Sequence, residues 1–153
     1  MYATILLAYD GTRESRLALQ EGAEIAERFG ARTHLLAVIN LPTALLGGEA
    51  LAAGGGMARE VERCQEVLNE GLERLKARGL ECVGHLERGD PHETIERLAR
   101  EVHADLIVLG YHRRSGFGKW WHTPTCTLLI DHTPTSLLVA IRDENPETEP
   151  QPP

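Results

Sequence analysis

The sequence predicts an α/β protein, a single-domain open parallel sheet of five strands with helices on both faces. Two observations lead there. Each strand candidate is a continuous apolar run without polar alternation, which is how a strand covered on both faces is written. These runs also alternate with amphipathic helical stretches, the pattern of a parallel sheet wrapped by helices. At 153 residues the chain is long enough for one good core and too short for two ordinary ones.

Thr4 to Tyr9 is the first run. Asp10-Gly11-Thr12 turns the chain, and Thr12 caps a helix whose face is Leu19, Ala23 and Ala26, broadened by Ala18, Gly22, Ile25 and Phe29. Gly30 ends it, and Thr33 to Ile39 is the second strand. From Asn40 to Gly56 the chain is rich in Gly, Ala and Leu, without periodicity, and is expected to be a mobile crossover loop. Val61, Cys64, Leu68, Leu72 and Leu75 recur at steps of three and four, so a long helix follows, closed by Arg78 and Gly79. Cys82 to Leu86 is the third strand. Asp90-Pro91-His92-Glu93 starts the next helix, with Asp90 as cap, Pro91 in the first turn and Glu93 completing a capping box. Its stripe is Ile95, Leu98, Ala99 and Val102. Leu106 to Gly110 is the plainest buried strand; a short helix, Thr125 to His132, led by a capping Thr123 and Pro124, precedes a last strand from Ser136 to Ile141. Residues 144–153 hold four prolines and no large apolar side chain, and are expected to be a disordered acidic tail behind a domain of residues 1–143.

Charge and composition narrow the function. A net charge of −7 and a pI near 5.5 speak against a nucleic-acid partner, which needs a concentrated basic surface. No apolar run approaches the roughly 18 residues of a membrane span, and no export signal opens the chain. Cys64, Cys82 and Cys126 are odd in number and widely spaced, so neither a disulfide framework nor a thiolate metal site is signalled, and a cytoplasmic location is expected.

Ligands of such sheets bind beyond the carboxyl ends of the strands. The residues to weigh are therefore Asp10, Val38 to Asn40, Glu87 to Asp90, and Gly110 onward. Asp10 is placed to meet a ribose or a metal ion, yet Asp-Gly is also an ordinary turn pair. The segment from Gly110 to Trp121 packs Arg113, Arg114 and Lys119, three glycines and both tryptophans into one loop, suited either to cradling an anion or to covering the core or a partner. No dinucleotide fingerprint follows the first strand, and Gly118-Lys119 lacks its upstream glycine, so neither NAD nor P-loop chemistry is expected. His112, His122 and Cys126 make a poor metal set, because Thr123-Pro124 places the helix start after His122. His34, His85, His92, His103 and His132 are scattered along the chain, and no nucleophile has a recognisable partner.

In order, these pieces resemble the universal stress protein family. Ile5-Leu6-Leu7-Ala8-Tyr9-Asp10-Gly11-Thr12 is similar to that family's opening strand and Asp-Gly-Ser turn, Gly89-Asp90-Pro91 to its Gly-Asp-Pro, and Ala104 to Gly110 to its Ala-Asp-Leu-Ile-Val-Met-Gly strand. The resemblance runs from residue 3 to about residue 142. It implies the strand order 3-2-1-4-5 of adenine nucleotide alpha-hydrolase-like folds, and a homodimer pairing the last strand: Leu137, Leu138, Val139, Ala140 and Ile141.

In the nucleotide-binding branch, ATP lies over the ends of strands 1 and 4. The matching positions here are Ala8, Tyr9, Asp10, Val38, Gly110, His112, Arg113, Arg114, Ser115, Gly116, Thr123 and Thr125. Three depart from that branch's glycine-rich loop: Arg113 and Thr123 replace glycines, and Pro124 replaces a serine whose N–H would face phosphate. A second branch lacks the motif, carries Trp-Ser-Lys in a comparable place, ends in Leu-Arg-Asp-Glu and is not expected to hold ATP; Gly118-Lys119-Trp120 and Ile141-Arg142-Asp143-Glu144 resemble it.

The leading expectation is thus a dimeric, non-catalytic stress-response protein with a degenerate phosphate loop and no metal. The alternative is a sensor of ATP or AMP, with Mg, in which Arg113, Arg114 and Lys119 supply the cationic contacts. A phosphoacceptor domain ranks last, since Asp10 has no acidic companion and Glu87 is not an Asp.

Overall fold

Ile5, Leu6 and Leu7 are each at most 1% exposed, although neighbouring side chains of a strand point to opposite faces. Both faces of the strand they form, β1 (Thr4–Ala8), must therefore be covered. The computed structural model describes residues 1–40, 55–112 and 123–142, without the side chains of His112, Thr123, Pro124 and Arg142. Its elements run α1 (Arg13–Phe29), β2 (Arg32–Ile39), α2 (Gly56–Ala77), β3 (Cys82–Arg88), α3 (Pro91–Glu101), β4 (Leu106–His112), α4 (Thr123–His132) and β5 (Ser136–Arg142). The five strands form one sheet in the order β3-β2-β1-β4-β5, every pairing parallel. Fold class and strand order are those expected.

The sheet divides the core in two. Ile5, Leu7, Tyr9, Leu35, Ala37, Leu106 and Val108 pack with Ala18, Leu19, Ala23 and Ala26 of α1 and Leu68 and Leu75 of α2. Leu6, Ala8, Leu36, Val38, Ile107 and Leu109 pack with Ile95, Leu98 and Ala99 of α3 and Cys126 and Leu129 of α4. Burying a side chain of this size contributes about 1.5–3 kcal/mol, so strands that face both layers anchor the fold.

The helix ends follow their local chemistry. The Thr12 hydroxyl accepts from the Ser15 N–H at 3.2 Å, and Gly30 closes α1 in the left-handed region at φ 61°. Asp90 accepts from the N–H groups of His92 and Glu93 at 3.0 and 3.3 Å, with Pro91 leading α3. Several boundaries differ from expectation. β1 stops at Ala8, β2 begins at Arg32, and β3 and β4 run on to Arg88 and His112. Thr123 and Pro124 lie within α4 rather than ahead of it. Phe29 is not on the buried face; it is 47% exposed and stands edge-on to Tyr2. The expected crossover loop, in residues 41–54, and the tail of residues 144–153 lie outside the described residues.

Candidate functional site at the carboxyl ends of the strands

The parallel register brings the carboxyl ends of β1, β2 and β4 side by side. Leu7 pairs with both Leu35 and Val108, so Asp10, Val38 and Gly110 emerge at one end of the sheet. Ala8 is buried in the layer under α3 and α4. Tyr9 extends the strand, its N–H donating to the Leu36 carbonyl at 2.9 Å, and its ring is fully buried toward α1 and α2. The phenol donates to Glu70 on α2, and Glu70 also meets Arg16 at 3.3 Å and Arg74 at 2.5 Å. Burial first, then the bond to Glu70, pushes the Tyr9 pKa up to about 12. The Tyr9 side chain is thereby committed to the core and offers a ligand only its backbone.

Asp10 is 4% exposed. Its Oδ1 accepts from the Thr12 N–H at 3.0 Å and from the Thr12 hydroxyl at 2.5 Å, which winds the turn tightly into α1. Gly11 makes that turn possible at φ 79°. Asp10 is therefore both a turn-former and a carboxylate held at the sheet end.

The structure brings to this end of the sheet one cation that the sequence does not point to, Arg63. Arg63 of α2 donates to Glu60 at 2.7 and 3.1 Å, and it lies within electrostatic reach of Asp10. The bond to Glu60 strengthens the guanidinium's hold on its proton. Next to it, Cys64 donates to the Val38 carbonyl at 3.8 Å, which seats α2 over the end of β2. Glu60 and Arg63 stand three apart on a helix, but nothing in that spacing says which strand ends the helix covers.

Gly110 has a packing role as well. A β-carbon there would stand 2.3 Å from the Glu14 carbonyl carbon and oxygen, and 2.5 Å from the Ser15 nitrogen. Its missing side chain lets the first turn of α1 rest directly on β4. Thr125 is buried in α4 at 6% exposure. Arg113, Arg114, Ser115 and Gly116 lie outside the described residues, as do Lys119 and both tryptophans; of His112 and Thr123 only the backbone is described.

The thiols are poor nucleophiles. Burial pushes Cys64 and Cys82 up, and Cys126 up to about 11, so each is protonated at neutral pH. Among the described residues no group of three or more His, Cys, Asp or Glu side chains converges on a metal position. Also among the described residues, no helix is long and apolar enough to cross a membrane.

The universal stress protein family, as a sequence family, matches residues 1–140. The chain belongs to the universal stress protein family. A universal stress protein A homolog from Haemophilus ducreyi is 26% identical over 148 residues, covering 94% of this chain and all of that protein. The crystal structure of a universal stress protein family protein from Burkholderia pseudomallei matches with a TM-score of 0.68 and 26% identity, over 90% of this chain and 95% of that one. The universal stress protein from Archaeoglobus fulgidus in complex with dAMP shares the fold, with a TM-score of 0.64 and 22% identity over 90% of this chain and 97% of its own. As a universal stress protein, this chain carries the family's sheet order, with Asp10 beyond β1 and Gly89-Asp90-Pro91 leading into α3.

Proposed function

We propose that this chain is a non-catalytic regulatory protein of the stress response, working as a homodimer through protein contacts, its phosphate loop too altered for tight nucleotide binding. The observation that carries the reading is that α4 opens on Thr123-Pro124. A helix that receives phosphate does so with the N–H groups of its first turn, and proline has none. One lost bond to a charged group costs about 1.5–3 kcal/mol, or roughly tenfold to over a hundredfold in affinity. Arg113 and Thr123 add side chains where the glycines of the nucleotide-binding branch let backbone approach the phosphates.

The dimer rests on β5. It is an edge strand of Leu137, Leu138, Val139, Ala140 and Ile141, with Ile141 46% exposed. Apolar edges of this kind are ordinarily paired or covered. Protonated thiols at Cys64, Cys82 and Cys126 fit the non-catalytic role, and their unpaired state fits a reducing cytoplasm. Residues 1–143 are proposed as the working unit.

The alternative is an adenine-nucleotide sensor. Asp10, Val38 and Gly110 at one sheet end favour it, as does the Archaeoglobus fulgidus relative in complex with dAMP. In that case Arg113, Arg114 and Lys119, with Mg for ATP, would hold the phosphates. Calorimetry with ATP and with AMP separates the two. The expected result is weak binding by the parent and a gain of about tenfold or more in Arg113→Gly/Thr123→Gly/Pro124→Ser, one recovered charge-assisted bond. Tight binding by the parent that Arg113→Gly abolishes would establish the sensor instead.

A further inference from the structure

His34 and His85 stand fifty-one positions apart in the sequence, yet His34 Nδ1 and His85 Nε2 lie 3.0 Å from each other. The β2–β3 register sets Leu36 against His85 and His34 against Val83, which puts both imidazoles diagonally on one face of neighbouring strands. Their ring centroids are 5.2 Å apart with planes tilted by 31°. Both residues are half-buried. We propose that this pair is a two-imidazole binding site for a divalent first-row transition metal, Cu(II) above the others, completed by water.

The geometry suits a chelate. Metal–imidazole bonds of about 2.0–2.1 Å at ordinary tetrahedral or square angles hold two nitrogens about 2.9–3.4 Å apart. The observed separation needs almost no rearrangement of either strand. In the metal-free pair one facing nitrogen carries a proton and the other accepts it. On binding, the donor ring moves that proton to its outer nitrogen, so both facing nitrogens present lone pairs and neutral imidazoles release no net proton.

The charges around the pair are mixed. Glu87 on β3 and Glu101 on α3 lie within electrostatic reach of His85, and the field of these carboxylates welcomes a cation, while Arg32 opposes it on the His34 side. Both carboxylates are tied to Arg97, at 3.2 and 2.9 Å, which leaves the remaining coordination positions to water. Two imidazoles without a third protein ligand suit copper best, following the general order of divalent affinities.

The test is titration of the metal-free full chain with Cu(II), read by calorimetry and by electron paramagnetic resonance. One ion per chain is expected, with two imidazole nitrogens in its hyperfine pattern. His34→Gln and His85→Gln should each weaken that site at least tenfold. His92→Gln, at a second neighbouring imidazole pair among the described residues, His92 and His132 with centroids 6.0 Å apart, should leave it unchanged. A parent spectrum with fewer than two imidazoles overturns the proposal without reference to any variant. So does a site that survives His85→Gln in a folded chain, or one lost with His92→Gln.

Discussion

Gly110 of β4 faces the main-chain carbonyl of Glu14 so closely that α1 and β4 touch backbone to backbone. Gly110→Ala must therefore move a helix or a strand, not a flexible side-chain tip. We expect a loss of about 1–3 kcal/mol, and a fall in melting temperature of about 2–4 °C for each kcal/mol. Gly30→Ala makes a useful comparison, because nothing lies within 4 Å of its absent β-carbon and only its φ of 61° resists the change. That substitution should cost about 1–2 kcal/mol through backbone strain alone. An unchanged melting temperature in Gly110→Ala would contradict the packing role.

Tyr9→Phe should cost about 0.5–1.5 kcal/mol at neutral pH, the net worth of the bond to Glu70. Its pH dependence is more telling. The Tyr9 pKa rises from 10.0 to about 12 on folding, so above pH 10 the unfolded chain loses this proton while the folded one keeps it. Folding is then opposed, and the stabilisation declines up to about pH 12. The stability gap between parent and Tyr9→Phe, measured by urea unfolding, should narrow between pH 9 and about pH 11. A widening gap would refute the assignment.

Asp90→Ala removes a carboxylate that accepts from two N–H groups at the start of α3. A loss of about 1 kcal/mol is expected. Asp90→Asn or Asp90→Ser, which keep an accepting oxygen, should recover most of it in the same unfolding measurement.

Ile141→Lys tests the edge. A lysine on an unpaired strand blunts sheet-to-sheet association while leaving the hydrogen bonds between β4 and β5 in place. Light scattering should report the parent at twice the monomer mass and the variant at the monomer mass, with circular dichroism unchanged. A folded variant that stays at twice the mass would remove β5 from the interface.

The strands were legible because Ile5 to Leu7 and Leu106 to Leu109 are covered on both faces, so their sequence carries no alternation and cannot be mistaken for a half-exposed strand. What periodicity cannot express is which segments meet. The contact of Gly110 with the Glu14 main chain was invisible because Glu14 belongs to a helix packed across the sheet. Gly71 went unnoticed for a similar reason: it counts as no apolar residue, yet a β-carbon there would press on Leu35 and Tyr9 at 2.7–2.9 Å. His34 and His85 seemed scattered until a parallel register set them together. At the site, Asp10 was visible as the residue after the first apolar run, whereas Arg63 reaches its neighbourhood only through the placement of α2.

The central strand also governs the order in which the chain is able to fold as it is made. β1 meets β2 after fewer than thirty residues, Thr4 opposite Arg32, but its other neighbour is β4. There Asp105 grips the N–H groups of Ala3 and Thr4 from about a hundred positions downstream, at 2.8 and 3.2 Å. At about 5–20 residues per second, a ribosome leaves that side of the innermost strand bare for about 5–20 seconds. The nascent chain passes that interval with Ile5, Leu6 and Leu7 at an open edge, and this is when it most needs shielding by a chaperone.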